Sequence, residues 1–203
     1  MSRSVILTGT NDATNYGSVA VVLHKSDTGL IALDGTPSEI NGVAVPQSLT
    51  QEWCDAQGLS TKVGSSTVLR TLSGPNVVIV VSNGSTTSED EWRRIGAAVT
   101  RSAPKSSALI VLPAVAATAT TVQAITEGVI LASYDFKSTD EAPPIGISVV
   151  GELAPDVRDS LARAVSNGAL VADGTNWAKR LIDTPAMDLS PKVFGNLVRE
   201  RFE

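Results

Sequence analysis

The chain has 203 residues, 42% of them apolar, and a net charge of −5 from 16 Lys and Arg against 21 Asp and Glu. That is enough apolar material for one well-packed domain, or a domain with an appendage. The basic footprint of a nucleic-acid binder is missing, since the densest basic spots are the pairs Arg93-Arg94 and Lys179-Arg180. No apolar run approaches the roughly 18–20 residues that span a bilayer, Met1-Ser2-Arg3-Ser4 leads into no secretory apolar stretch, and a lone cysteine, Cys54, allows no internal disulfide. The expectation is a cytoplasmic protein.

In chain order, residues 18–24 and 29–33 read as two strands around the turn Lys25-Ser26-Asp27-Thr28. These early strands are expected to form an antiparallel edge. Residues 46–57 predict a short helix with Pro46 in its first turn and Gly58 just past its end. Residues 67–72 and 76–81 flank the turn signal Ser73-Gly74-Pro75. The second of these runs is continuously apolar, as a strand covered on both faces should be. A helix follows, because Ser88-Glu89-Asp90-Glu91 fits a capping box and Trp92, Ile95, Ala98 and Val99 share one face. Pro104 closes it.

Residues 107–112 return as a buried strand. Residues 120–134 form the next helix, with Val122, Ile125, Val129 and Tyr134 inward, and residues 145–150 the last strand. From Pro155 a long helical pattern runs through Val157, Leu161, Val165 and Ala169 towards Leu181. Gly168 and Gly174 weaken it by roughly 1 kcal/mol each relative to Ala. Strands alternating with helices imply parallel pairing, with helices on both faces of the sheet. Pro185 and Pro191 stop the long helix, and Ser190-Pro191 suits the N-cap and first position of a new one. Val193, Phe194, Leu197, Val198 and Phe202 share one face of that tail helix. It should lie outside the domain core, either packed on a neighbouring copy or poorly ordered.

Candidate chemistry is sparse. A structural zinc wants four N/S ligands and a catalytic one about three, whereas the chain has one His, His24, and Cys54, with no pairing motif around either. Glu89-Asp90-Glu91 and the pair Asp156 and Asp159 fall at predicted helix starts, where carboxylates favour the helix dipole without any metal. No G-x-S-x-G elbow exists, His24 lies inside a strand pattern, and Cys54 beside Trp53 reads as a small core residue. The small-residue loop over residues 81–88 has the shape of an anion site at a helix start. Three acids in the following turn oppose that reading, and the absence of any Gly-Lys pair excludes a P-loop. No catalytic, cofactor-binding or metal-binding residue is assigned.

Two longer segments carry more. Glu127-Gly128-Val129-Ile130-Leu131-Ala132-Ser133-Tyr134-Asp135-Phe136 resembles the E-G-x-x-L-x-x-Y-x-F signature of the leucyl aminopeptidases, the cytosol aminopeptidase (M17) family of two-metal peptidases. Asp183-Thr184-Pro185-Ala186-Met187-Asp188-Leu189-Ser190-Pro191 resembles that family's N-x-P-x-N-x-L-x-P junction between N-terminal and catalytic domains. Asp183 and Met187 stand where the family commonly has Asn, which touches local turn geometry rather than chemistry. The family's catalytic N-T-D-A-E-G-R motif is absent.

The resemblance implies a macrodomain-like α/β three-layer sandwich with a mainly parallel mixed sheet over residues 1–182. Residues 183–203 would be the interdomain linker and first helix leading to a catalytic domain that is not present. It further implies that the parent is a metallo-aminopeptidase with two divalent ions, Zn or Mn, in that missing domain. The expected partners are the catalytic domain, peptide substrates and further copies in a hexamer, with no nucleic acid and no membrane. This chain alone is expected to be inactive and to serve assembly or regulation. Gly128 would allow close helix approach, while Tyr134 and Phe136 would act as large anchors. The alternative is a free-standing macrodomain-like module for a nucleotide or protein partner, for which a linker and an orphan amphipathic helix would have little use.

Overall fold

The structure is a computed structural model and describes residues 3–8, 15–40, 42–72, 74–137 and 142–203. Along the chain come β1 (Val5–Thr8), β2 (Ser18–Ser26), β3 (Gly29–Ala32), β4 (Glu39–Ile40), β5 (Val43–Ala44), β6 (Ser48–Thr50) and α1 (Gln51–Ala56). Then follow β7 (Ser66–Leu69), β8 (Asn76–Ser82), α2 (Glu89–Ser102), β9 (Ala108–Leu112), α3 (Ala119–Ala132), β10 (Ile145–Val149), α4 (Pro155–Asp183) and α5 (Pro191–Phe202). The alternation from β8 onward follows the sequence pattern, and the fold is mixed α/β with a mainly parallel sheet.

The sheet runs β7-β8-β2-β9-β10-β1, parallel throughout except for β7, which forms an antiparallel edge on β8. Leu23 and His24 pair with both β8 and β3, so β3, with β6 beyond it, branches from β2 on the side away from β8. The expectation that the early strands form an edge is therefore corrected. Only β3 and β6 are antiparallel there, and β2 lies at the centre between β8 and β9. The physical reason is visible in Val19-Ala20-Val21-Val22-Leu23, every one of which is buried. A strand apolar on both faces belongs in the middle of a covered sheet.

Alternation divides that run between two cores. Ala20, Val22, Val78, Val80, Ile110 and Leu112 face α2, α3 and α4. Val19, Val21, Val77, Ile79 and Val111 face a thinner cover that includes Cys54 of α1 and Ile40 and Val43 of β4 and β5. The long helices thus share one face, instead of being distributed over both. The helix expected from Pro46 begins at Gln51, because Ser48, Leu49 and Thr50 are recruited to pair with β3. Thr50 caps it by accepting the Trp53 N–H at 3.2 Å. Ser73 of the turn before β8 lies outside the described residues.

The capping box forms as read: the Ser88 hydroxyl accepts the Glu91 N–H, and Glu91 accepts the Ser88 N–H at 2.8 Å. Trp92, Ile95, Ala98 and Val99 are all buried. Glycines set the spacing of the helix layer. A Cβ added to Gly128 of α3 would stand 2.0 Å from the Arg93 carbonyl oxygen, one on Gly96 of α2 would stand 2.3 Å from that of Ile125, and one on Gly168 of α4 would stand 2.7 Å from that of Gln123. Gly168 is thus a contact position, and the sequence reading of it as a weak point is corrected.

The buried stripe of α4 is Leu161, Ala164, Gly168, Ala172 and Asn176. Val157, expected inward, is 38% exposed, because small residues rather than bulky ones face α3 here. At the far end Ser190 caps α5, whose Phe202 ring meets Trp177 edge-on at 5.9 Å while Arg201 pairs with Asp173. No residue of α5 is buried.

Candidate functional site

Two places gather polar side chains. The first is the seam of the helix layer, built from the Glu127–Phe136 segment. Glu127 is buried and accepts from the Arg93 Nε across α2 and from Gln123 Nε2 at 3.0 Å on its own helix. The hydrogen bond to Glu127, with the charge of Glu127 and Asp90, holds Arg93 above the ordinary guanidinium range even against partial desolvation. Asn176 of α4 donates to the Ile130 carbonyl at 3.0 Å, and the Tyr134 hydroxyl donates to Asp183 at 2.7 Å. Desolvation and that hydrogen bond push the tyrosine pKa up to about 12. Phe136, expected as an anchor, is instead 42% exposed. The segment joins α3 to both neighbours, which is a structural role.

Arg3, which the sequence does not single out, is 1% exposed. Its Nη2 donates to the carbonyls of Ala103, Pro104 and Ser106 at 2.9, 3.2 and 3.2 Å, closing the end of α2. Burial lowers its pKa from the ordinary value. No local signal could have found this contact, because the partners are remote in sequence.

The second place is a cavity of about 410 Å³ at the C-terminal ends of β2, β8 and β9. This is where open α/β sheets commonly hold ligands. His24 enters from the end of β2, Asn83 and Gly84 from the loop after β8, and Ala116 from the loop after β9. Leu33 and Asp34 come from a turn closed by the Thr36 N–H on the Leu33 carbonyl at 3.0 Å. Gly35 there has φ +84°, which L side chains resist, so the turn and the placing of Asp34 depend on it. Trp92 of α2 forms a wall, and Thr118 and Thr121 line the start of α3.

The loop over residues 81–88 therefore does border a cavity. The cavity is not basic: Asp34 is the acidic residue of its lining, and among the described residues neither Lys nor Arg lines it. Nδ1 of His24 is shielded from solvent and makes no hydrogen bond to any described residue. Cys54 lies in the core across the sheet, so His24 and the thiol are not brought together. Burial, then the neighbouring Asp55, pushes the thiol pKa up, which suppresses the thiolate. Asp156 sits in the first turn of α4 and Glu89, Asp90 and Glu91 in that of α2, as the dipole reading expects.

The profile of the cytosol aminopeptidase family, N-terminal domain, matches residues 38–141, just over half of the chain. The chain belongs to that family. A probable cytosol aminopeptidase of Roseiflexus castenholzii is 38% identical over 86 residues, covering 40% of this chain and 18% of that protein. Among solved structures, a mutant tomato leucine aminopeptidase gives a TM-score of 0.68 at 18% identity, covering 98% of this chain and 41% of that one. The bottromycin maturation enzyme BotP, solved in complex with Mn, gives 0.63 at 19% identity over 91% of this chain and 35% of that one. At those identities the likeness is one of fold. The chain spans less than half the length of each of these cytosol aminopeptidase relatives and structural neighbours.

Proposed function

We propose that the chain is the non-catalytic N-terminal domain of a two-metal leucyl aminopeptidase that removes N-terminal residues from peptides, and that it serves assembly or regulation. The observation that carries this reading is the family membership, with a fold likeness to a leucine aminopeptidase that extends over 98% of the chain. The parent would use two divalent ions, Zn²⁺ or Mn²⁺, to polarise the scissile carbonyl and activate water. Among the described residues no group of three or more His, Cys, Asp or Glu is placed to hold a metal. The residues present do not fit the ions, and no catalytic step is assigned to them.

Residues 1–182 form the domain in this reading, and residues 183–203 are the linker and first helix toward the catalytic domain. The outer face of α4 and the linker support the assignment, since Leu170, Ile182 and Met187 are 72%, 81% and 88% exposed. In this reading the catalytic domain covers these three side chains. The full enzyme is a homo-oligomer, a hexamer on the family pattern, in the cytoplasm, without nucleic acid. No helix among the described residues is long and apolar enough to cross a membrane.

The test is an assay of the purified 203-residue chain on leucyl anilide with added Mn²⁺ or Zn²⁺, beside the same chain joined to a family catalytic domain. Turnover is expected only from the joined protein. Turnover by the chain alone that survives His24→Ala and Cys54→Ala would mean that it carries its own catalytic site.

A further inference from the structure

The sheet ends at β7, which pairs with β8 on one side and with no described strand on the other. Its ladder fixes which main-chain groups are left over. The Val81 N–H donates to the Ser65 carbonyl at 3.0 Å, and further along Thr67 opposes Ile79 and Leu69 opposes Val77. In an antiparallel pair, alternate residues exchange both hydrogen bonds with the neighbouring strand. Ser65, Thr67 and Leu69 therefore bond to β8, while the N–H and C=O of Ser66 and Val68 point away from it. Neither of these two residues has another backbone partner among the described residues.

Exposed edges are usually blunted by a charge, a proline, a bulge or a covering loop. Ser66-Thr67-Val68-Leu69 contains neither a charged residue nor a proline, and all four residues are half-buried, short of full cover. The Gly64 N–H also reaches the Val81 carbonyl, at 2.9 Å, but that irregularity ends before Ser66. Lys62 and Arg70 lie outside the four residues. The strand is also held in place. The Ser66 and Ser102 hydroxyls lie 3.0 Å apart, and Val68 and Leu69 pack against the cores on opposite faces of the sheet. The edge thus stands ready for one more strand.

We propose that this strand is a second copy of β7, paired antiparallel about a two-fold axis at Thr67. The spacing makes the edge its own complement. Ser66 then lies opposite Val68 of the second copy and Val68 opposite its Ser66, so every outward N–H meets a C=O. Thr67 faces Thr67 across the axis, a favourable cross-strand pair, and no like charges meet within the four residues. The contact is short beside the roughly 1,200–2,000 Å² of a stable interface, so it joins copies as one contact of a larger assembly. This deepens the assembly role proposed above. It is tested without a catalytic domain, so its failure leaves the aminopeptidase reading standing.

The register gives the test. Across the axis the two Thr67 Cα atoms stand about 4.5 Å apart, a separation that a disulfide bridges. In the 203-residue chain under oxidised glutathione, Thr67→Cys should cross-link at least about tenfold faster than Arg70→Cys, an exposed site that faces no copy of itself. Thr67→Lys and Thr67→Asp should each lower the dimer fraction in sedimentation velocity, and an equal mixture of the two should restore it. One measurement needs no variant. In ¹⁵N NMR the amides of Ser66 and Val68 should shift as the chain is concentrated to about 1 mM, while those of Thr67 and Leu69, already bonded to β8, should move much less. Equal cross-linking rates overturn the proposal. So do amides of Ser66 and Val68 that ignore concentration, or concentration-dependent shifts confined to α5.

Discussion

On the inner face of α4, Gly168 lies so close to α3 that an added Cβ would stand 2.7 Å from the Gln123 carbonyl oxygen; on the outer face, Gly174 has nothing within 4 Å. The same residue type in the same helix thus marks a sealed contact on one side and open surface on the other. The inner face is complete in itself: small residues bring backbones together, and Asn176 and Asp183 add hydrogen bonds to α3 and its C-terminal flank. The outer face is open and mostly polar, with Arg163, Ser166, Asn167 and Thr175 exposed around the apolar pair Leu170 and Val171. The difference teaches that burial in this helix follows closeness of approach, and that bulk alone does not mark the inward side.

The sharpest way to break the comparison is at the tightest glycine. Gly128→Ala should destabilise the chain by about 3 kcal/mol in denaturant unfolding, because the new methyl meets backbone that cannot rotate away. Gly168→Ala should cost about 1–2 kcal/mol despite the helix propensity it gains. Gly174→Ala should instead stabilise by about 0.5–1 kcal/mol. Equal signs for the two α4 variants would show that the faces do not differ as described.

Removing the residues after Pro185 should lower the melting temperature only slightly. What ties α5 to α4 is one edge-on aromatic pair, Trp177 with Phe202, and the half-exposed Arg201–Asp173 pair. These are together worth about 0.5–2.5 kcal/mol. Unfolding on that deletion would place α5 in the core.

The smallest effect is electrostatic. In ¹³C NMR of labelled tyrosine, Tyr134 should titrate with a midpoint of about 12, and Asp183→Asn should move it down. Because the folded value is raised, the contribution is fully present below the unfolded value of roughly 10 and fades as pH rises through the folded one. Neutral-pH stability should not change with Tyr134 ionisation.

Local chemistry made much of this fold legible. The Ser88 capping box, the Trp92–Val99 face and the apolar run of β8 each contain their own signal and formed where the sequence placed them. What escaped was set by remote partners. Ser48–Thr50 became strand because β3 lay waiting to pair, and β2 took the centre because the covers on its two faces come from later segments. The inner stripe of α4 escapes any reading that weighs bulky residues, because Ala164, Gly168 and Ala172 carry it. The cavity was half legible. The loop after β8 has the shape of a ligand-binding turn in the sequence alone, but nothing local joins it to His24 or Asp34, which arrive from a strand and a turn far upstream.

The glycine contacts also govern how the domain can move. Helices separated by side chains can roll or slide as rotamers adjust, whereas α2, α3 and α4 meet through main-chain carbonyls at Gly96, Gly128 and Gly168. Such helices are expected to shift together. α2 starts beside the cavity, and α4 ends at Asp183 where the chain turns into the linker. A tilt imposed at either end would then be carried toward the other, as along a lever.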